Sequence, residues 1–151
     1  MVRQKVLFVC IHNSARSQMA EAYLHQLGAD LFEVESAGLE PGTLNPLAVE
    51  VMKEEGIDIS GNRTKDVFEF LKQGRLYAFV ITVCDETAAE RCPVFPGPAT
   101  RLHWGFADPG ALAGTLEERL AATRIIRDLI RSKVEEFLRK GGKSVVTVVP
   151  R

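Results

Sequence analysis

A cysteine followed by five residues, an arginine and a serine is the first pattern in this chain that could do chemistry: Cys10, Arg16 and Ser17. The apolar run Val6–Cys10 before it predicts a buried parallel strand, and residues 18–24 show helical spacing without a breaker. In such a strand-to-helix loop, backbone N–H groups converge on an anion, and their field favours the thiolate form of a cysteine. The pattern therefore predicts that the Cys10 sulfur attacks a bound oxyanion.

The other side chains of this loop suit the same task. Arg16 offers a planar, two-pronged donor for a tetrahedral oxyanion, and the hydroxyls of Ser14 and Ser17 can donate to the ligand or to the sulfur. The alternative is a purely structural role, in which Cys10 is a small buried hydrophobic residue at the end of a strand. Its place between a strand and a helix favours the functional interpretation, with an oxyanion site made of Ile11, His12, Asn13, Ser14, Ala15 and Arg16.

Length and composition indicate one globular domain. The 151 residues are 46% hydrophobic and 26% charged, and 19 Lys and Arg against 20 Asp and Glu leave a net charge of -1, which argues against a nucleic-acid binder. We find neither an apolar run long enough to span a membrane nor a signal-peptide pattern, and so expect a cytoplasmic protein. In that compartment, cysteines 10, 84 and 92 are expected to be reactive or metal-binding and not structural disulfides.

The hydrophobic patterns alternate between strands and helices. Strands are predicted at 5–10, 32–36, 76–83 and 101–104, and helices at 15–27, 47–55, 64–71 and 115–139. This order predicts an α/β fold, a single-domain open parallel sheet of about four strands with helices on both faces. We assign residues 1–140 to this domain and residues 141–151 to a β-prone C-terminal tail without an assigned role.

The last helix is predicted in more detail. Thr115 and Glu118 form a capping box at its start. Its apolar residues are expected near one face, towards the core: Leu116, Leu120, Ile125, Leu129 and Phe137.

Two further cysteines and an aspartate are candidates for the same site. Cys84 follows a predicted buried strand, as Cys10 does, and the carboxyl ends of parallel strands meet at one edge of a sheet. Cys92 lies eight residues further on, so one thiol could attack a sulfur bound to Cys10 and the other could resolve the resulting disulfide. Asp108, before Pro109, is either a general acid or an ordinary turn residue.

The sequence leaves two other uses of these cysteines open. Cys84 and Cys92 could be inert buried thiols. Together with Cys10 and His12 they could instead bind zinc, although the spacing lacks the close Cys-x2-Cys pairs of structural zinc sites.

The Cys10-x5-Arg16-Ser17 pattern resembles the phosphate loop of the low-molecular-weight protein tyrosine phosphatases, and more closely that of the related thioredoxin-coupled arsenate reductases. Cys84 and Cys92 are similar to the second and third cysteines of those reductases. The segment His103-Trp-Gly-Phe and the following Asp108-Pro109 resemble the part of the reductases that carries their acid. Two departures are Ala107, where several relatives have a second Asp, and Gly110, where phosphatases tend to have tyrosines.

The resemblance implies a phosphatase-like fold and an arsenate reductase. Arsenate would be reduced to arsenite through a disulfide relay, with thioredoxin as the reductant and no tightly bound cofactor. The catalytic residues implied are Cys10, Arg16, Ser17, Cys84, Cys92 and Asp108. The alternatives are a low-molecular-weight phosphotyrosine or phosphomonoester phosphatase, in which Cys84 and Cys92 are incidental, and a thiol redox sensor without turnover.

The resemblance also implies a potassium site. Asn13, Glu21, Ser36 and Asp66 match positions that bind potassium in some of these reductases, and oxygen ligands suit such a hard cation. The alternative is that Asn13 bonds to its own backbone and that Glu21 and Asp66 are solvated.

Overall fold

The computed structural model describes residues 2–141. The β-prone stretch 144–149 that the sequence predicts lies outside these residues. No helix within residues 2–141 is long and apolar enough to cross a membrane.

The described chain forms one parallel sheet surrounded by helices. The strands are β1 (Gln4–Cys10), β2 (Phe32–Gly38), β3 (Phe79–Thr82) and β4 (Thr100–His103), in the order β2-β1-β3-β4. The helices are α1 (Arg16–Gly28), α2 (Pro46–Lys53), α3 (Val67–Lys72), α4 (Glu86–Ala89), the 3-10 turn Pro109–Ala111 and α5 (Leu116–Arg139). The predicted α/β fold with a four-stranded parallel sheet is confirmed.

The core lies on both faces of the central strand. Val6, Leu7, Phe8 and Val9 are all fully buried although successive side chains of a strand point to opposite faces, so both faces of β1 are covered. On one face Phe137 of α5 stacks against aromatic rings, with centroid distances of 5.1 Å to Phe32, 5.2 Å to Phe79 and 5.6 Å to Trp104. This packing holds the sheet as a rigid base for the loops at its edge.

The predicted core face of α5 is wrong in part. Phe137 is buried as expected, but Leu116, Ile125 and Leu129 are 57%, 63% and 56% exposed. The buried face instead carries Thr123, Ile126, Arg127, Ile130, Val134 and Phe137. Arg127 is tolerated there because its guanidinium donates to the Val51 carbonyl at 2.9 Å and pairs with Glu54 at 2.8 Å.

The strand order places a crevice at the carboxyl end of β1. The chain runs from β1 to β2 on one side and then to β3 on the other, and ligands bind in open parallel sheets where the direction reverses in this way. Cys10 is the last residue of β1. Directly beyond β3, the Val83 amide donates to the Val9 carbonyl at 2.9 Å, so Cys84 enters the same crevice.

Gly38, the last residue of β2, sits opposite Cys10 in the parallel register. A Cβ at Gly38 would lie 2.8 Å from each of three backbone atoms, which belong to Ile11, His12 and Asn13. Backbone cannot yield as the tip of a flexible side chain would. The end of β2 therefore packs directly against the loop that follows Cys10, and only glycine fits there.

We predict that Gly38→Ala lowers the free energy of unfolding by about 1–3 kcal/mol, the usual cost of overpacking. It should also weaken phosphate binding, because relief of the clash displaces the loop. Gly61→Ala is the matched control, since nothing lies within 4 Å of a Cβ at that position. Urea unfolding and phosphate titration of both variants make the test, and equal stability of the two would contradict the packing described.

Candidate active site

The backbone of residues 10–15 turns its carbonyl groups outward. The carbonyls of Cys10, Ile11, His12 and Ser14 accept N–H bonds of 2.7–3.1 Å from the segment after β2, whose donors are Leu39, Glu40, Gly42 and Asn45. Because the C=O of one residue and the N–H of the next point in opposite directions across a trans peptide, the N–H groups of Ile11, His12, Asn13 and Ala15 face away from that segment, into the loop. No side chain caps the start of α1 at Ala15, which leaves the first-turn N–H groups for an anion. The loop therefore has the geometry of an oxyanion cradle, and binding of an oxyanion by residues 11–16 stays a prediction.

Asn13 is the residue on which the shape of this loop depends. Its φ of 54° lies in the left-handed region, the one such non-glycine case among residues 2–141, and asparagine tolerates this conformation better than most residues. The side chain is fully buried and its oxygen accepts from the Lys65 amide at 2.9 Å. Gln18 donates to the same oxygen and to the Asn13 carbonyl, both at 3.1 Å. These bonds fix the turn from inside the protein.

The Cys10 sulfur receives two hydrogen bonds. The Asn13 N–H lies 3.2 Å from Sγ and the Ser17 hydroxyl 2.9 Å from it. Ser17 Oγ already accepts from Asn13 Nδ2 at 2.7 Å, which leaves its own hydrogen for the sulfur. These two bonds fix the position of the sulfur at the end of β1.

Arg16 connects the cradle with the loop that carries Asp108. The Arg16 side chain is only 4% exposed and donates to the Phe106 carbonyl at 3.2 Å, and its other terminal nitrogen lies 3.7 Å from Asp108 Oδ2. Asp108 Oδ1 accepts from the Gly110 amide at 2.8 Å, so this residue also caps the 3-10 turn. One carboxylate oxygen thus holds the turn while the other faces the arginine of the cradle, and the role of Asp108 as a general acid stays a prediction.

The structure separates the environments of the other two cysteines. All three cysteines are buried free thiols. Burial raises the pKa of Cys84 to about 11, opposed by the nearby Arg16 guanidinium and reinforced by the proximity of Cys10. Burial also raises the pKa of Cys92, opposed by Arg101. Cys84 thus shares the surroundings of Cys10, whereas Cys92 lies against Pro93 and β4.

Of the four side chains expected to bind potassium, those of Asn13, Glu21 and Ser36 are connected by hydrogen bonds, whereas that of Asp66 bonds elsewhere. Ser36 Oγ donates to Glu21 and accepts from Asn13 Nδ2 at 2.9 Å, but Asp66 Oδ1 accepts from the Phe68 amide at 2.8 Å and caps α3. The ammonium of Lys65 lies 3.4 Å from Glu21 Oε1 and 3.3 Å from Ser36 Oγ. Within residues 2–141, no group of three or more His, Cys, Asp or Glu side chains is placed to hold a metal ion. One oxygen on each of the four side chains is thus engaged by a protein donor.

Sequence reasoning missed three contributors to the site: Gln18, Lys65 and the carbonyl of Phe106. Gln18 is fully buried on α1 and also donates to the Arg63 carbonyl at 3.0 Å. Its position between the loop residue Ser17 and the apolar pair Met19-Ala20 was a usable signal for it. Lys65 and Phe106 reach the site through tertiary contacts, for which the local sequence carries no signal.

Comparisons with known proteins agree with this geometry. Residues 5–146 match the family model described as low molecular weight phosphotyrosine protein phosphatase. An arsenate reductase of Bacillus subtilis is 43% identical over 143 residues, which cover 93% of this chain and 99% of that protein. A solved arsenate reductase in its oxidised state has a TM-score of 0.76 at 32% identity, covering 91% of this chain and 98% of its own. The thioredoxin-dependent arsenate reductase of Corynebacterium glutamicum has a TM-score of 0.68 at 28% identity, covering 95% of this chain and 64% of its own.

The raised pKa of Cys84 can be measured directly. In a Cys10→Ser, Cys92→Ser variant, Cys84 is the remaining cysteine, and the ultraviolet absorbance of its thiolate should rise with a midpoint near pH 11. The thiol is therefore neutral at pH 7, and its thiolate fraction increases about tenfold per pH unit below the midpoint. The same titration of a Cys10→Ser, Cys84→Ser, Cys92→Ser variant gives the tyrosine background. A midpoint at or below that of a free cysteine would contradict the buried environment.

Proposed function

The chain belongs to the low molecular weight phosphotyrosine protein phosphatase family, and we propose that it works within this family as an arsenate reductase. The observation that carries the proposal is the position of Cys84. It is a buried thiol at the end of β3, in the crevice that holds Cys10 and within electrostatic reach of Arg16. Phosphate ester hydrolysis needs one nucleophilic thiol, whereas a two-electron reduction needs a second thiol close to the first.

The first step is nucleophilic attack on arsenic. Arsenate binds in the cradle of residues 11–16, and the Arg16 guanidinium binds two of its oxygens. The Cys10 thiolate forms a sulfur–arsenic bond as an arsenic–oxygen bond breaks. Asp108 gives its proton to the departing hydroxide, which leaves as water. Ser17 and the Asn13 amide orient the sulfur before the attack.

The second step moves the electrons. The Cys84 thiol gives its proton to an oxygen on arsenic as its sulfur attacks the Cys10 sulfur; the sulfur–arsenic bond breaks, and its electron pair stays on arsenic, which leaves as arsenite. Cys92 then attacks the Cys84 sulfur, so that Cys10 returns as a thiolate and a Cys84–Cys92 disulfide remains. A dithiol reductant, for which we propose thioredoxin, reduces this disulfide. A relay of free thiols of this kind fits the reducing cytoplasm.

Closing the last disulfide requires the segment 84–98 to rearrange. The helical turn α4 separates Cys84 from Cys92, and the Cys92 amide donates to the Ala89 carbonyl at 3.1 Å as that turn ends. Arg91 in the same segment pairs with Glu40, whose backbone N–H donates to the Ile11 carbonyl of the cradle. A disulfide needs Cα atoms about 4.4–6.8 Å apart, so we propose that α4 unwinds and that the ion pair breaks when Cys92 moves to Cys84.

A specific feature supports the second candidate, a phosphomonoester phosphatase. A groove of about 770 Å³ runs from Ser14 of the cradle to Pro109 beside Asp108. Arsenate needs only the cradle, whereas the organic group of a phosphate ester would lie in this groove. Its apolar wall is aliphatic, from Leu44, Leu112 and Leu120, and offers no ring to stack on a phosphotyrosine. We therefore propose that ester hydrolysis is a weak side activity.

The proposal is tested by NADPH oxidation in a mixture of thioredoxin and thioredoxin reductase. Wild-type protein should consume NADPH when arsenate is added and not when phosphate is added. Cys84→Ser should abolish this turnover but keep the hydrolysis of nitrophenyl phosphate, because the nucleophile and the acid remain. Cys92→Ser should release about one arsenite per protein and then stop with Cys10 bonded to Cys84.

Cys10→Ser is the control that should lose both activities. Ester hydrolysis by wild-type protein without arsenate-dependent NADPH oxidation would assign the chain to the phosphatases. The absence of both activities would favour the redox sensor.

A further inference from the structure

A lysine ammonium lies beneath the oxyanion cradle, at the point where the sequence comparison suggested potassium. Lys65 Nζ is 3.4 Å from Glu21 Oε1 and 3.3 Å from Ser36 Oγ, and the side chains of Lys65 and Glu21 are each 24% exposed. An ion pair with this degree of burial is screened less by solvent than one on the open surface. The carboxylate of Glu21 therefore has its counter-charge within the chain.

A series of hydrogen bonds connects this ion pair to the Cys10 sulfur. Ser36 donates its hydrogen to Glu21, so its lone pairs accept from Lys65 and from Asn13 Nδ2, the latter at 2.9 Å. The same Asn13 amide group donates to Ser17 Oγ at 2.7 Å, and Ser17 donates to the Cys10 sulfur. Loss of the positive charge beside Glu21 would reorient the side chains of Ser36 and Asn13. The hydrogen bonds that the Cys10 sulfur receives would change with them.

A potassium ion does not fit among these groups as they stand. Asn13 Oδ1 already accepts from the Lys65 and Gln18 nitrogens, and Asp66 Oδ1 caps α3. Ser36 Oγ donates one bond and accepts two, which uses its full capacity. The Lys65 ammonium carries the same single positive charge as a potassium ion, and it donates hydrogen bonds to the kinds of oxygen that bind potassium.

We infer that Lys65 is a positioning residue for the catalytic loop, and that its ammonium serves as a built-in monovalent cation which makes the protein independent of potassium. Lys65 acts through Ser36, Asn13 and Ser17 and does not touch the reacting atoms. Its backbone N–H bonds to Asn13 Oδ1 at 2.9 Å and its carbonyl accepts from the Gly38 amide at 2.8 Å. Both bonds survive a change of side chain, so Lys65→Met should fold and lose only the charge.

The inference rests on the proposed function only for the identity of the anion, so the test measures Cys10 itself. In a Cys84→Ser, Cys92→Ser background, Cys10 is the remaining thiol, and its alkylation by iodoacetamide is followed at pH 7 by mass spectrometry. The rates are compared in potassium, sodium and choline chloride at equal ionic strength. Choline is too large to enter the space that Lys65 leaves.

The background protein with Lys65 should react at the same rate in all three salts. Lys65→Met should react about tenfold more slowly in choline, the effect expected from losing a partly buried charge, and recover most of that loss in potassium. Lys72→Met is the matched control: its ammonium pairs with Glu69 at 3.7 Å but is 76% exposed, so neither its rate nor its salt dependence should change. Thermal unfolding in each salt verifies that every variant is folded.

Three results would overturn the inference. Faster alkylation of the Lys65-containing protein in potassium would mean that an ion binds although Lys65 is present. An unchanged rate for Lys65→Met in choline would mean that the charge does not reach the nucleophile. A slow Lys65→Met that no cation restores would leave Lys65 with a structural role only. If arsenate turnover is absent while alkylation follows the expected pattern, the proposed function fails and the role of Lys65 stands.

Discussion

The site depends on one turn of backbone that is held with its carbonyls outward. The carbonyls from Cys10 to Ser14 are all occupied, four by the segment after β2 and one by Gln18. This leaves the N–H groups for an anion, and the cost of the left-handed Asn13 is offset by its buried side-chain bonds. The cradle is therefore formed before any substrate arrives. Fixed dipoles of this kind stabilise charge without reorganising during the reaction.

The order of the strands explains why one fold can serve both ester hydrolysis and reduction. Cys10 and Asp108 suffice to transfer an oxyanion to sulfur, and both belong to loops at the carboxyl edge of the sheet. The reversal of direction at β1 brings the end of β3 to the same crevice, so a cysteine directly after β3 lies beside the nucleophile. A thiol at that one position makes a single reduction possible, and Cys92 in the segment that follows allows the Cys10 thiolate to be recovered. The burial that raises the pKa of Cys84 keeps it neutral at pH 7 until the reaction begins.

Much of this could be predicted from the sequence because its signals are local. The strand-loop-helix around Cys10 and the capping box at Thr115 each follow from a few adjacent residues. Features that depend on tertiary contacts were less accessible. The sequence predicted a strand at 76–83, but pairing with β1 limits β3 to Phe79–Thr82 and leaves Leu76 56% exposed. The buried face of α5 includes Arg127, whose partners Val51 and Glu54 lie more than seventy residues away. The ion pair of Lys65 with Glu21 escaped prediction for the same reason.

The central claim is that Cys10, Cys84 and Cys92 pass two electrons to an oxyanion held in the cradle. The most direct test is a single turnover of fully reduced wild-type protein with excess arsenate, without oxygen or added reductant, followed by arsenite analysis and peptide mapping. The account predicts about one arsenite per protein, a disulfide between Cys84 and Cys92, and a free thiol at Cys10. Arsenite without that disulfide, or three unchanged thiols and no arsenite, would contradict it.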